Sequence, residues 1–283
     1  MALVLASAAL FATKGLNFGI DFRGGILVEI KTEGPADISG LRDKLGSLGL
    51  GDVSIQEFGA ADDVLIQLQR QDGDEKAQMA ALAKVTEALG ENVTIRRSEL
   101  VGPKVGDELK EAGFYSVVIS LLLIMIYIWF RFEWQFAVAS VVALLHDVVI
   151  TVGFFVITGV QFDLATLAAV LTVAGYSIND TVVVFDRIRE YLRKFRKMEI
   201  PDLLDLSINS TLSRTTMTSF TTLLALIALF AFGGEAIRGF TMALIFGIVI
   251  GTYSSICVAS PLLIVLRLKR KIPEAEEGQE AKA

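Results

Sequence analysis

One cysteine, one histidine and five prolines among 283 residues close off several common chemistries. Cys257 has no second cysteine to pair with, so no disulfide staples the chain internally. One His and one Cys cannot furnish a usual structural zinc site, and no HExxH segment is present. No GxxxxGK[ST] loop is there to cradle nucleotide phosphates. The residues before Asp180 are Tyr176, Ser177, Ile178 and Asn179, not the GxGD of an intramembrane aspartyl protease. An excess of positive charge is missing too: the net charge is −6, and an acidic extramembrane segment argues against nucleic acid as a partner. The chain is therefore expected to hold no metal or organic cofactor and not to be an enzyme.

What is present is apolar. The chain is 53% hydrophobic with a mean hydropathy of +0.58, the composition of a polytopic membrane protein with one sizeable polar segment. Residues 14–112 carry 12 Lys/Arg against 18 Asp/Glu, so the whole net charge lies there. Four parts are expected: a truncated first transmembrane helix over 1–14, an extracytoplasmic α+β domain over 15–112, transmembrane helices two to six over 113–267, and a cytoplasmic tail over 268–283. The apolar run Met1 to Thr13 is too short to span, and a cleaved signal peptide is the alternative.

In the polar segment, Ile26, Val28 and Ile30 alternate onto one face of a strand. Asp37 caps a helix whose apolar positions are Ile38, Leu41, Leu45 and Leu48. Two strands, Val53 to Phe58 and Val64 to Leu68, flank a hairpin-length connection. A helix from Asp74 to Leu89 and a strand from Val93 to Arg96 complete a βαββαβ, ferredoxin-like order. That fold implies no function by itself. Gly24 and Gly25 read as a turn before they read as a binding loop.

Five further spans follow: Gly113 to Phe130, Phe136 to Ile157, Leu164 to Phe185, a fifth from near Thr211 to Phe232, and Phe240 to Leu266. Trp129 and Trp134 mark one interface. Arg131, the connector with Arg187, Arg189, Arg193, Lys194, Arg196 and Lys197, and the tail with Arg267, Lys269, Arg270 and Lys271 share one side. The positive-inside rule makes that side cytoplasmic and puts the α+β domain outside. The basic connector can touch anionic membrane lipid, although topology alone explains it.

The fourth span carries Asp180, and an ionised group inside a spanning helix points by default to function. Holding helices together by a hydrogen bond is the bland alternative. Asp180 lies ~24 Å along its helix from Leu164, and Arg214 lies ~27 Å from Phe232 on the next, antiparallel helix. The two charges thus share a level. Thr218, Thr221 and Thr222 extend the Arg214 face. Together they read as a proton or ion path, with Asn179 beside it.

His146 and Asp147 lie near the midplane of the third span. They form either a satisfied structural pair or a relay, since histidine titrates near neutral pH. Gly247, Gly251, Ser255 and Ala259 recur every four residues on the sixth span and read as a close-packing ridge.

Several segments together are specific: GIDFRGG at 19–25, LVGPKVGDEL at 100–109, WFRFEWQFA at 129–137, LLHDV at 144–148, GYSINDTVVVFDRIRE at 175–190 and STLSRTTMTS at 210–219. Over nearly the whole chain the sequence resembles the SecF family, the smaller membrane component of the SecDF pair. The resemblance implies an RND-type half-transporter: six helices, with an external domain between spans one and two. It also implies pairing with SecD around a pseudo-two-fold axis, and action beside the SecYEG channel and YajC on translocating preproteins at the bacterial inner membrane. The proton gradient is then the energy source, with Asp180 and Arg214 matching the family's proton-path residues. A passive translocase scaffold and half of an RND-like small-molecule exporter are the alternatives.

Overall fold

The computed structural model describes residues 2–268 apart from 52, 74, 91–92 and 235–236. The basic tail residues Lys269, Arg270 and Lys271, and the expected helix start Asp74, lie outside the described residues. The polar segment folds as β1 (Gly25–Thr32), α3 (Ile38–Gly46), β2 (Val53–Phe58), β3 (Ala60–Gln69), α4 (Glu75–Leu89) and β4 (Val93–Val101). It is preceded by α1 (Ala2–Lys14) and a single turn, α2 (Ile20–Arg23). The strands pair antiparallel in the order β2-β3-β1-β4, the ferredoxin-like arrangement that the sequence order predicts. Alternation does the sorting: Ile26, Val28, Ile30, Val64, Ile66 and Leu68 point inward and pack on Leu45, Ala81, Val85 and Leu89 of the two helices.

Two strand limits differ from the sequence reading, each for a local reason. β3 begins at Ala60, not Val64, because Gly59 adopts φ +89 and makes the reversal alone. β4 continues past Arg96 to Val101. Glu29 pairs with Arg97 and Ile30 with Ile95, so Arg96 is the extra residue of a β-bulge that interrupts the alternation there. At the start of β1, Gly25 has φ +134, and a Cβ on it would sit 2.5 Å from the Leu68 carbonyl oxygen. The glycine pair is thus a close-packed turn.

The expected domain boundary at 112 falls inside a helix. α5 (Pro103–Arg131) rises from the end of β4 and runs on unbroken as a spanning helix. The other long helices are α6 (Trp134–Thr158), α7 (Leu164–Lys194), α8 (Ile200–Phe232) and α9 (Arg238–Ser254). Among the described residues, five helical stretches, the last running from Arg238 to Val265, are long and apolar enough to cross a membrane; α1 is a shorter apolar helix. It packs on α6, where the missing side chain of Gly153 admits Ser7.

Three helices differ in detail. α7 runs through the charged segment 186–190, where the helix is expected to end, and on to Lys194: Ile188 is buried beside Phe132, Phe136 and Phe185, so Arg187, Arg189, Arg193 and Lys194 ride on its last turns rather than on a connector. α8 begins at Ile200 instead of Thr211, because Leu203, Leu204 and Ser207 are already buried against that cluster. The sixth span is one continuous helix, as expected, but not a regular one. A π turn (Ser255–Ala259) separates α9 from α10 (Ser260–Val265). Pro261 offers no N–H to the Cys257 carbonyl and its ring crowds that oxygen, so the turn before it widens.

The sheet domain is seated on the α6–α7 loop. The Gly19 N–H donates to the Phe162 carbonyl at 2.9 Å, and the Phe162 N–H donates to that of Asn17 at 2.8 Å. The Leu164 N–H donates to Asp21 Oδ2 at 2.9 Å and the Gln161 amide to Gln67 Oε1 at 2.7 Å. Beneath them Phe22 stacks on Phe162, with ring centres 5.9 Å apart.

Candidate intramembrane site

α6, α7, α8 and the α9–π junction bring two carboxylates and a set of hydroxyls together within the spanning region. Ser177 and Asp180 stand one turn apart on α7, which presents them toward the same neighbours. On α8, Thr211, Thr215 and Ser219 recur at i+4 and form its buried stripe. On the last helix the π turn brings two consecutive serines, Ser254 and Ser255, both fully buried, into the same region.

Asp147 is the deeper carboxylate, with no exposed surface. Its Oδ2 accepts from Ser177 Oγ and Ser254 Oγ, each at 2.6 Å, and its Oδ1 lies 2.9 Å from His146 Nδ1. Burying a carboxylate is tolerable only with such partners. His146 is one-tenth exposed, and its ring centre lies 6.3 Å from that of the exposed Tyr253.

Asp180 is half-buried. Its Oδ1 accepts from Thr215 Oγ1 at 2.6 Å and its Oδ2 from Ser255 Oγ. Nearby, the Ser219 and Thr252 hydroxyls pair at 2.7 Å and join α8 to α9. Among the described residues no Lys or Arg lies within ion-pairing distance of either carboxylate.

That geometry separates the two charges that the sequence puts on one path. Asp180 and Arg214 do share a level, since Arg214 adjoins Thr215 in sequence. One helical residue turns the direction by 100°, however, so Thr215 meets Asp180 while Arg214 occupies the exposed stripe. Thr218 is exposed on that stripe too, and the hydroxyls of Thr218, Thr221 and Thr222 return to carbonyls of their own helix. They form no ladder beyond Arg214. Asn179 is exposed on α7.

The small-residue ridge is a packing seam over most of its length. Added Cβ atoms would meet Val173 Cγ2 at 2.2 Å from Gly247 and Ser177 Cβ at 3.0 Å from Gly251. Ala259 is fully buried. Ser255 departs from the expected packing role and donates to Asp180. Sequence reasoning missed Ser177, Thr215 and Ser254. Their signal was faint but present: hydroxyls one turn from Asp180, one residue from Arg214, and inside an otherwise apolar run.

Comparison with known proteins gives consistent results. The family profile described as "Protein export membrane protein SecD/SecF, C-terminal" matches residues 81–269, and that of the "SecD/SecF GG Motif" matches 9–36. A protein translocase subunit SecF of Vibrio alginolyticus is 47% identical over 95% of this chain and 86% of its own length. One from Desulfurispirillum indicum is 46% identical over 98% of this chain and 91% of its own. The crystal structure of SecDF, a translocon-associated membrane protein from Thermus thermophilus, superposes with a TM-score of 0.83 at 38% identity. That match covers 95% of this chain, which spans only 37% of the longer SecDF chain. A SecDF in a super-membrane-facing form matches with a TM-score of 0.68.

Proposed function

Because this chain belongs to the SecD/SecF family of protein-export membrane proteins, we propose that it acts with SecD to couple the proton-motive force to preprotein translocation across the bacterial inner membrane. The observation that carries this reading is the pair of neighbours on α8. Thr215 serves a carboxylate inside the bundle, while Arg214, at the same level, faces out with no ion pair among the described residues. A guanidinium turned to lipid at that depth is costly. A second polytopic subunit with its own polar face would cover Arg214 and complete the path at Asp180. The SecYEG channel, YajC and the emerging preprotein are the further partners that this reading assigns.

In this scheme a proton arriving from the outer side neutralises Asp180, and loss of that charge alters how α7 sits against α8 and the π turn. Each charge crossing the membrane releases ~2.3 kcal/mol per 100 mV, enough to bias a two-state equilibrium about fifty-fold. The side assignment rests on Arg131, Arg187, Arg189, Arg193 and Lys194 at the end remote from the sheet domain. By the positive-inside rule that end is cytoplasmic and the domain periplasmic.

The test is Asp180→Asn, which keeps shape and hydrogen-bonding capacity but cannot titrate. Export of a secreted protein is followed in membrane vesicles after ATP-driven initiation, with and without an imposed proton gradient. The variant should assemble normally and lose the gradient-stimulated part. Full stimulation in an assembled variant would leave only a passive scaffold.

A further inference from the structure

Ser255 has one hydroxyl hydrogen and two acceptors within reach. One is Asp180 Oδ2; the other is the carbonyl oxygen of Thr252, 3.0 Å away on its own helix. Ser254 repeats the arrangement, with Asp147 Oδ2 at 2.6 Å and the Gly251 carbonyl at 3.2 Å. A hydroxyl so placed can exchange acceptors by rotation about one bond, without moving the backbone. The carboxylate is the stronger acceptor while it is charged, because charge-assisted hydrogen bonds exceed neutral ones about two-fold.

We propose that Ser255 is a positioning residue for proton exchange at Asp180: it donates to the charged carboxylate, and when Asp180 binds a proton it turns its hydrogen to the Thr252 carbonyl. The proton balance is simple. Charged Asp180 accepts from Thr215 and Ser255. Once Oδ2 carries the proton, that O–H donates to Ser255 Oγ, and the Ser255 hydrogen passes to the waiting carbonyl. Both states are fully hydrogen-bonded, so neither leaves an orphaned polar group in the bundle. The π turn is what makes this possible, since it places a serine against Asp180 immediately after the serine that holds Asp147. Anchored through Ser254 and Ser177, Asp147 keeps the turn in register while Ser255 changes partner.

Within one helical turn of Asp147, Asp180, Thr215 and Ser255, the other titratable or charged groups are His146 on α6 beside Asp147 itself, Tyr176 on α7, Arg214 on α8, and Tyr253 and Cys257 on the last span. Arg214, Tyr253 and Cys257 are exposed. Ser255 is thus the titration-sensitive contact that the last span makes with Asp180. The proposal refines the proton-path reading and rests on it, but its test does not depend on export.

The experiment is an infrared pH titration of the purified protein with its partner in lipid nanodiscs. The protonated-carboxyl band of Asp180 is identified by its loss in Asp180→Asn. Ser255→Ala removes one of the two donors to the charged form and should move the midpoint to higher pH by about ten-fold in proton concentration. Ser255→Thr, which keeps the hydroxyl, should restore it. Ser260→Ala is the structural control. The Ser260 hydroxyl donates to the Ser255 carbonyl at 3.0 Å and braces the same turn without touching a carboxylate, so the midpoint should not move. An unchanged midpoint in Ser255→Ala, or an equal shift in Ser260→Ala, overturns the proposal. Loss of export in Asp180→Asn bears only on the functional reading above.

Discussion

Ser254 and Ser255 are neighbours in the chain, yet their hydroxyls donate to carboxylates on two different helices, Asp147 on α6 and Asp180 on α7. In a regular helix consecutive side chains diverge by 100°, and the π turn here starts at Ser255. The last span therefore closes a polar layer that α6, α7 and α8 leave open on one side.

Gly247 should tolerate no side chain. A Cβ there would lie 2.2 Å from Val173, against 3.0 Å from Ser177 for one at Gly251. Gly247→Ala is expected to lower stability by about 1–3 kcal/mol through overpacking, and Gly251→Ala by less. Val249, on the exposed side of the same helix, should accept Leu with little change. Thermal unfolding of the three variants in one lipid or detergent decides the ranking, and equal melting points would mean that α7 and α9 do not meet along this seam.

Arg214 and Thr215 should separate cleanly under mutation. Arg214→Gln removes an exposed group with no ion pair among the described residues, so the chain's own melting should hold while co-purification of the partner falls. Thr215→Val removes a donor to Asp180, so gradient-stimulated export should change while partner recovery holds. Loss of partner in Thr215→Val alone would reverse the two roles.

Orientation can be read with single cysteines once the native, exposed Cys257 has been replaced. A cysteine at Gly59, in the β2–β3 turn, should react in intact cells with an impermeant reagent. One at Lys194, at the end of α7, should react only after the membrane is opened. The opposite pattern would put the sheet domain in the cytoplasm.

In the sheet domain the Lys31 ammonium stands 2.8 Å from Asp62 and, by that hydrogen bond, holds the Asp62 carboxyl below its ordinary value. A lowered folded value means that this pair's contribution is present above the unfolded carboxylate range and fades as pH falls through the folded one. The pair is solvent-exposed, so the effect on stability should be small. Lys31→Gln should raise the Asp62 midpoint in an NMR titration, and an unmoved midpoint would mean that the pair does not form in solution.

Much of this architecture was legible in the residues. The period-2 pattern of Ile26, Val28 and Ile30 found the sheet, and apolar runs found five of the spanning helices. Depth was legible too, because rise per residue alone put Asp180 and Arg214 on one level. Azimuth was not. Whether Arg214 or Thr215 faces Asp180 is decided by how α8 is rotated, which the buried Leu203, Leu204 and Ser207 below it help to set. Hydropathy also missed the π turn, because Ser255 to Ala259 reads as one more helical turn unless Pro261 is read for its missing N–H. The bulge at Arg96 hid the end of β4 in the same way, by breaking a pattern without breaking the element.

The seat of the sheet domain gives α7 a mechanical meaning. Its first residue, Leu164, is bonded to Asp21 of the domain, and its N-terminus is fixed by a capping box between Asp163 and Thr166. Asp180 lies ~24 Å further along the same unbroken helix. Were α7 to pivot as one body at the polar layer, it would act as a lever with its far arm under the sheet. A 10° tilt about Asp180 would carry Leu164 sideways by about 4 Å, more than a hydrogen bond can stretch, so the domain must travel with it.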